Sequence, residues 1–279
     1  MTRCAPILAT PDAANNAANN AVEQIEGSLA AGVLFICDHA ANALPEAYGT
    51  LGLTREELDR HIGYDIGSAW ITRRLAALFN APAVLSRFSR LLIDPNRGAD
   101  DPTLVMQIAD GTVVPGNTGI STSEIEFRLS QFWQPYRAAV SVTIEAMLKN
   151  GPPPALVSLH TFTPAWRGQV RPWETGILWD CDPRFAKPLI EAMREDGLKA
   201  GDNEPYDGAL AGDTLNEEVT RRGLAGLLIE TRNDLVSTEI AANAWAGRLA
   251  KILRPVLARP EIHEIEVYPS RTGRRRSVR

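Results

Sequence analysis

The sequence predicts an α/β fold with a mostly parallel sheet flanked by helices, and three apolar runs carry that prediction. Each run has the length of a buried strand, and each ends in an ionisable residue: His39, His160 or Glu230. Helix-like segments alternate with these and other short apolar runs, as in parallel sheets. Because open sheets of this class keep their ligands at the carboxyl ends of the strands, we expect the three side chains to share one site. The runs are GVLFICDH, PALVSLH and GLLIE.

The bulk composition is that of a globular protein with an acidic surface. A chain of 279 residues with 44% apolar residues can bury a substantial core. We expect one domain over residues 1–279, with an N-terminal surface segment over 1–30 and a disordered basic tail over 269–279. The net charge of -5 argues against a nucleic-acid or membrane-surface partner, since both attract positive proteins.

Cysteine usage and the N-terminal sequence favour the cytoplasm. Cys4, Cys37 and Cys181 are too scattered for a disulfide framework and have no CxxC spacing. No basic segment followed by a long apolar core marks export, and no run approaches the roughly 20 apolar residues of a membrane span.

The region after His39 predicts two helices and two short strands. Thr54, followed three residues later by Glu57, is a capping-box pattern that opens a helix. The apolar spacing over 62–79 predicts an amphipathic helix, and residues 83–85 and 91–93 are expected to form short strands around an arginine-rich turn.

The second half of the chain continues the alternation. Residues 100–121 and 163–174 are expected to be loops that line or cover a pocket, although their side chains could instead pack the loops against the body. A long helix is expected over 124–149. Strands are expected at 156–160, 175–179 and 226–230, and helices at 184–197, 215–222 and 237–257.

The strand-end residues have the chemistry of a catalytic zinc site. Two imidazoles and a carboxylate, His39, His160 and Glu230, can supply metal ligands and a base for water. A single histidine after a strand is more often a structural hydrogen-bonding residue than a metal ligand, and the pair strengthens the interpretation as ligands. A third ligand should be a carboxylate, and Asp65 and Glu46 are the candidates. We favour Asp65, which is expected in the first turns of an apolar helix, where its alternative role is helix-terminus stabilisation.

Three arginines around the 91–93 segment suggest recognition of an anion. Arg87, Arg90 and Arg97 offer planar guanidinium groups that can grip a carboxylate or stabilise an oxyanion. One or two of them could instead pair with nearby aspartates, such as Asp94.

Taken together, six motifs carry a family resemblance. DHAANALP, HIGYDIG, SRLLIDPNRG, DGTVVPGN, SLHTFTP and LLIETRND occur in an order that resembles the N-formylglutamate amidohydrolase family, over roughly residues 32–245. The resemblance implies a fold related to the zinc carboxypeptidases and the aspartoacylase group, with a central mixed sheet. It also implies a hydrolase with one zinc ion per chain, which cleaves the amide of a small N-acylated acidic amino acid, by default N-formyl-L-glutamate.

The same resemblance implies roles for individual residues. His39 and His160 would be zinc ligands, Glu230 the general base, and Asn96 with Arg97 the clamp for a substrate carboxylate. We expect the oxyanion to be held by zinc and an arginine, either Arg90 or Arg232, and count Arg87 with the substrate-binding residues. The zinc carboxypeptidases place a glutamate ligand three residues after the first histidine, where this chain has Asn42. The third ligand is therefore open among Asp65, Glu46 and Asn42.

Two other functions remain open from the sequence. One is a zinc peptidase or amidase acting on a peptide or cell-wall fragment. The other is a metal-free protein that binds a carboxylate ligand without turnover, a reading that Asn42 supports.

Overall fold

The computed structural model describes residues 21–272 and contains one central seven-stranded sheet and two small hairpins. The strands are β1 (Val22–Ile25), β2 (Val33–Cys37), β3 (Ala83–Ser86), β4 (Ile108–Ala109), β5 (Thr112–Val113), β6 (Ala155–Phe162), β7 (Ala165–Trp166), β8 (Gln169–Val170), β9 (Thr175–Leu178), β10 (Ala200–Asp202) and β11 (Gly226–Arg232). Strands β4 with β5 and β7 with β8 form the hairpins. The other seven lie in the order β1-β3-β2-β6-β11-β9-β10.

The sheet is mixed and mostly parallel, which confirms the predicted fold class. The four central strands β3, β2, β6 and β11 run in one direction. At one edge β1 is antiparallel to β3, and at the other β9 and β10 run against β11. The carboxyl ends of the four central strands therefore meet at one edge of the sheet.

Helices cover both faces of the sheet. Along β2, Val33 and Phe35 point into the core beneath the helices Ser68–Phe79, Pro183–Glu195 and Glu239–Leu257, whereas Leu34 and Ile36 point into the core beneath the helix Gln134–Asn150. This alternation explains why the strand is apolar throughout, since neither of its faces meets water. The helices are α1 (Arg55–Leu58), α2 (Ser68–Phe79), α3 (Thr122–Arg128), α4 (Gln134–Asn150), α5 (Pro183–Glu195), α6 (Thr214–Glu218) and α7 (Glu239–Leu257).

Most predicted elements are present, with small shifts at their ends. Thr54 and Glu57 form the expected capping box before α1. The predicted helix over 124–149 consists of α3 and α4, joined by a π-helical turn over Leu129–Trp133. The helix predicted over 215–222 is shorter, because α6 ends at Glu218 and a 3-10 turn follows.

Two predictions are wrong, and both concern residues between β2 and β4. The helix over 62–79 begins only at Ser68, because Gly67 has φ 91°, which a right-handed helix excludes. Residues 91–93 are buried but form a turn, in which Leu92 N donates to Ser89 O, rather than a strand. The short edge strands β1 and β10 were not predicted.

The chain ends extend beyond the described residues. Cys4, the first 20 residues of the N-terminal segment and residues 273–279 of the basic tail lie outside them. Residues 269–272 are described, and the guanidinium of Arg271 donates to Asp207 Oδ2 at 2.8 Å. No helix within residues 21–272 has the length and apolarity required to cross a membrane.

Candidate metal centre and catalytic cavity

The three strand-end residues meet at the carboxyl edge of the central sheet. His39 follows β2, His160 lies on β6 and Glu230 on β11, and the parallel register of β6 and β11 sets Glu230 directly beside His160. All three side chains are buried. The rings of the two histidines are 5.0 Å apart between centroids, in an edge-to-face arrangement. The expected common site therefore exists.

Asp65 completes a group of three potential metal ligands. Its backbone N–H donates to His39 O at 3.0 Å, which fixes the turn before α2 against the end of β2. Its Oδ2 then lies 3.3 Å from His39 Nδ1 and 2.8 Å from His160 Nδ1. One ligand atom from each of the three residues lies within 4.8 Å of the others. Two imidazoles and one carboxylate form a recurrent ligand set of catalytic zinc sites.

The alternative third ligands lie elsewhere. Glu46 is an exposed residue of a short 3-10 helix, Glu46–Tyr48. The side chain of Asn42 donates to Asp59 Oδ1 at 2.7 Å and to Leu58 O at 3.2 Å, and these bonds stabilise the turn after α1. Neither residue belongs to the group of three, whereas Asp65 does.

A second pair of buried carboxylates holds the outer nitrogens of the two imidazoles. His39 Nε2 lies 2.7 Å from Asp94 Oδ1, and His160 Nε2 lies 3.1 Å from Asp38 Oδ2. Asp38 also accepts hydrogen bonds from Ser158 Oγ, at 2.7 Å, and from Thr214 Oγ1, at 2.6 Å. Each ring is thereby oriented with Nδ1 towards Asp65. Carboxylates in this position fix the tautomer and orientation of metal-binding histidines.

The charges in this group stabilise one another. Burial alone would raise the pKa values of Asp38 and Asp65, but the hydrogen bonds and charges of the imidazoles outweigh it and hold both below their usual range. For Asp94, burial is outweighed first by Arg90 and then by His39, so its pKa is also well below normal. Burial opposes protonation of His160, yet its bonds to Asp38 and Asp65 raise its pKa well above normal.

Glu230 is the exception among these carboxyl groups. Its Oε2 is buried and has no hydrogen-bond partner among residues 21–272. Burial, reinforced by the negative charge of Asp65, raises the pKa of Glu230 to about 7, although His160 acts in the opposite direction. A carboxyl group with this pKa can both accept and return a proton near neutral pH, as a general base requires.

The polar residues Arg90, Asn96 and Arg97 lie beside the histidines. The guanidinium of Arg90 donates to Asp94 Oδ2 at 2.8 Å and reaches Asp65 Oδ1 at 3.5 Å. Asn96 Oδ1 accepts from Thr214 N at 3.1 Å, which leaves the side-chain amide N–H groups of Asn96 available. Arg97 donates to Thr103 Oγ1 and to the backbone carbonyl of Asn96, both neutral acceptors. Arg90, Asn96 and Arg97 all line the cavity described below.

Two of the predicted arginines lie outside this arrangement. Arg87 is exposed at the end of β3, and Arg232 pairs with Asp234 at 2.8 Å and points towards Trp173 O. Neither lines the cavity.

A cavity of about 510 Å³ opens over the two histidines, Asp65 and Glu230. Both loops expected to shape a pocket contribute to it. Met106, Ile108 and Asp110 come from the loop that carries hairpin β4–β5, and Thr163 and Trp166 from the loop that carries hairpin β7–β8. The volume lies within the roughly 300–1,000 Å³ typical of small-molecule sites.

Some site residues could not be identified from the sequence. Asp38 precedes His39 in the sequence, but its side chain orients His160 on the neighbouring strand β6. His61 lines the cavity and lies 3.3 Å from Asp110, and no pattern in the sequence indicated that position. Asp213 and Tyr206 also line the cavity, and no pattern around them indicated it.

Comparisons with known proteins point to a single family. Residues 31–237 match the N-formylglutamate amidohydrolase family. The chain is 32% identical to a gene product of Agrobacterium tumefaciens, over 88% of this chain and 98% of that one, and the two structures have a TM-score of 0.81. An N-formylglutamate amidohydrolase from Ralstonia eutropha is similar in fold, with a TM-score of 0.64 at 20% identity over 85% of this chain and 96% of that one. No curated protein matches the sequence.

Proposed function

This chain belongs to the N-formylglutamate amidohydrolase family, and from that premise we propose that it is a zinc-dependent hydrolase of N-acylated amino acids. The substrate that the family predicts is N-formyl-L-glutamate, which hydrolysis would convert to formate and L-glutamate. The observation that carries the proposal is the group His39, Asp65 and His160 beside a buried carboxyl group, Glu230, whose Oε2 has no partner among the described residues.

The residues present fit a zinc ion. His39 Nδ1, His160 Nδ1 and Asp65 Oδ2 converge, and Asp94 and Asp38 hold the outer nitrogens in the orientation that ligation by Nδ1 requires. Three protein ligands leave a position for water, as in catalytic zinc sites. Zinc held there would polarise the substrate carbonyl and lower the pKa of a bound water molecule to about 7.

Glu230 would move the proton. In its ionised form, the carboxylate accepts a proton from the attacking water, whose oxygen forms a bond to the acyl carbon. It then transfers this proton to the nitrogen of the amide as the C–N bond breaks. The released amine and carboxylic acid together account for the atoms of the substrate and of one water molecule.

Arg90 would stabilise the negative charge that develops on the acyl oxygen. It lines the cavity, and its Nε is buried without a partner among residues 21–272. Asp65 and Asp94 hold its guanidinium in place, so little reorganisation is needed during the reaction. Arg97 and the free amide of Asn96 would bind a substrate carboxylate and hold the amide in position for attack.

Metal analysis combined with formate release tests the proposal. We expect about one zinc per chain and release of formate from N-formyl-L-glutamate by the native protein. Replacing Glu230 by glutamine should lower kcat by several orders of magnitude while zinc stays bound, because the carboxylate acts on water. Glu218→Gln is the matched control, since Glu218 pairs with Arg222 outside the cavity and should retain native activity.

Each failure has a separate meaning. Zinc without turnover would reject the substrate, and turnover that survives Glu230→Gln would reject the role of Glu230. A protein that takes up no zinc from excess metal would refute the proposal.

A further inference from the structure

Arg171, directly after β8, is a buried cation without a negative partner. It is 9% exposed, and its side chain donates to Thr163 O at 3.3 Å and to Thr163 Oγ1 at 3.2 Å. Both acceptors are neutral, and Arg171 forms no ion pair with any carboxylate of residues 21–272. Burial of a charge is unfavourable unless an opposite charge compensates for it. The unpaired guanidinium therefore favours binding of an anion nearby.

Aromatic stacking holds this guanidinium against the wall of the catalytic cavity. Its central carbon lies 5.0 Å from the centre of the Tyr206 ring and 5.7 Å from that of the Phe162 ring. Phe162, Thr163 and Tyr206 line the cavity, and Arg171 contacts all three without being part of the lining itself. Because water screens a buried charge only weakly, the charge of Arg171 acts on a ligand in the cavity without direct contact.

Tyr206 adds a hydrogen-bond donor beside Arg171. Its ring faces the guanidinium, and its side chain lines the same cavity as Glu230. Burial, reinforced by the negative charge of Glu230, raises the pKa of Tyr206, although Arg171 acts in the opposite direction. The hydroxyl is therefore protonated near neutral pH and can donate to a carboxylate.

The acidic residues at the mouth of the cavity already have cationic partners. Asp110 Oδ2 lies 3.2 Å from Arg60 Nη2, and Asp207 Oδ2 accepts from Arg271 Nη1 at 2.8 Å. These pairs compensate the two negative charges, whereas the positive charge of Arg171 has no such partner within residues 21–272. The charge balance of this part of the site therefore favours a ligand with an additional carboxylate.

Arg171 and Arg97 belong to different parts of the site. Arg97 lies in the segment that follows β3, whereas Arg171 stacks on Phe162 at the end of β6 and on Tyr206 after β10. In the sheet, β2 lies between β3 and β6, and His39 follows β2. We therefore expect the two arginines on different sides of the metal-binding group, where they can bind two carboxylates of one ligand.

We infer that Arg171 supplies the positive charge that selects an acidic side chain on the substrate. The inference rests on the proposed function and names a specificity-determining residue for it. Arg97 and Asn96 bind the α-carboxylate, and the side-chain carboxylate lies towards Tyr206 and Arg171. A neutral side chain of the same size leaves the charge of Arg171 buried and unpaired, so such a substrate binds more weakly.

A size-matched pair of substrates combined with variants of Arg171 tests this inference. N-formyl-L-glutamate and N-formyl-L-glutamine have nearly the same size and differ in charge, and formate release gives kcat and KM for both with zinc-loaded protein. Arg171→Met and Arg171→Gln remove the charge, and Arg171→Lys keeps it. Arg167→Met is the matched control, because Arg167 lies on the same hairpin, is exposed and stacks on Trp166.

We expect the native protein to favour the glutamate derivative by about 10–100-fold in kcat/KM, the range for a hydrogen bond to a charged group. Arg171→Met and Arg171→Gln should reduce this preference to within about threefold, chiefly by raising KM for the glutamate derivative. Turnover of the glutamine derivative should stay within about threefold of native, which verifies that the variants are folded and their catalytic groups intact. Arg171→Lys should keep a preference of at least about fivefold, and Arg167→Met should behave like the native protein.

The outcomes separate this inference from the proposed function. A native protein that does not distinguish the two substrates, equal losses for both in the charge-removing variants, or a preference that survives those variants would overturn the inference and leave the proposed function standing. Calorimetry with Glu230→Gln protein measures affinity for both ligands without turnover. If neither is hydrolysed but N-formyl-L-glutamate binds more tightly and loses this advantage when Arg171→Met is added, the charge selection stands and the proposed function fails. If neither binding nor turnover is found, both are overturned.

Discussion

Replacing Asp38 by asparagine removes one negative charge beneath the metal-binding group and leaves the shape of the side chain almost unchanged. Asp38 is fully buried and accepts hydrogen bonds from His160 Nε2, Ser158 Oγ and Thr214 Oγ1, at 3.1, 2.7 and 2.6 Å. It does not belong to the three potential ligands, so its effect on zinc must pass through the imidazole of His160.

The expected magnitude follows from the bond to His160. A hydrogen bond to a charged group contributes about 1.5–3 kcal/mol, against about 0.5–1.5 kcal/mol for a neutral one. The difference, about 1–1.5 kcal/mol, corresponds to roughly a tenfold loss of zinc affinity, at the lower end of the 10–100-fold typical of such outer carboxylates. The asparagine amide can also donate to His160 Nε2 and so favour the wrong tautomer, which would enlarge the loss.

Competition with a chromophoric chelator measures the zinc affinity, and circular dichroism verifies that each protein is folded. Asp180→Asn is the matched control, because Asp180 is a buried carboxylate that accepts from Arg271 N at 2.9 Å, away from the cavity. A folded Asp38→Asn protein that binds zinc as tightly as the native chain would refute the role assigned to Asp38. Equal losses in both variants would show that the effect reflects general stability.

Other features of the structure lead to further predictions. The folded-state pKa of Glu230 lies above its unfolded value near 4.5, so its contribution to stability is complete below that value and is lost as pH rises through about 7. Metal-free Glu230→Gln protein should therefore unfold at higher urea concentration than the native protein at pH 8, and identical midpoints would argue against a raised pKa. Gly67→Ala should destabilise the protein by about 2 kcal/mol, because Gly67 has φ 91° and an added Cβ would lie 2.4 Å from Val236 O. Gly247→Ala, in open space within α7, should instead stabilise the protein by about 0.5–1 kcal/mol. Urea unfolding measures the free energy of unfolding of both variants, and changes of the same sign would contradict this reasoning. Arg97→Lys should raise KM about tenfold with a smaller effect on kcat, since one ammonium cannot replace a two-pronged guanidinium; an unchanged KM in steady-state assays would exclude Arg97 from substrate binding.

The central strands could be predicted because their burial is visible in the sequence. In β2, β6 and β11 an apolar run stops at or just before an ionisable residue. The run is apolar because the strand crosses the core, and the ionisable residue follows because the strand ends at a polar cavity. The same reasoning predicted that His39, His160 and Glu230 share one site. Periodicity reports burial, however, and not hydrogen bonding. Residues 91–93 are buried and apolar like a strand, yet they form a turn.

The rest of the site depends on contacts between distant parts of the chain. Asp38 is hydrogen-bonded to His160 rather than to its sequence neighbour His39, and Thr214 on α6 donates a hydrogen bond to Asp38. No local sequence pattern indicates such hydrogen bonds, because they form only when β2 and β6 lie side by side. The late start of α2 has a similar cause. Gly67 adopts a positive φ where its backbone meets Val236 O, and a sequence pattern gives no information on that approach.

The parallel pairing of β2 with β6 also determines when a metal could influence folding. The whole stretch from Asp38 to Pro154 separates these neighbouring strands in the chain, so their pairing requires the closure of a very long loop. Such non-local contacts form slowly, and His39 and His160 come together only after they have formed. We therefore expect a metal ion that binds across β2 and β6 to bind after the rate-limiting step. It should slow unfolding in proportion to its affinity and leave the refolding rate unchanged.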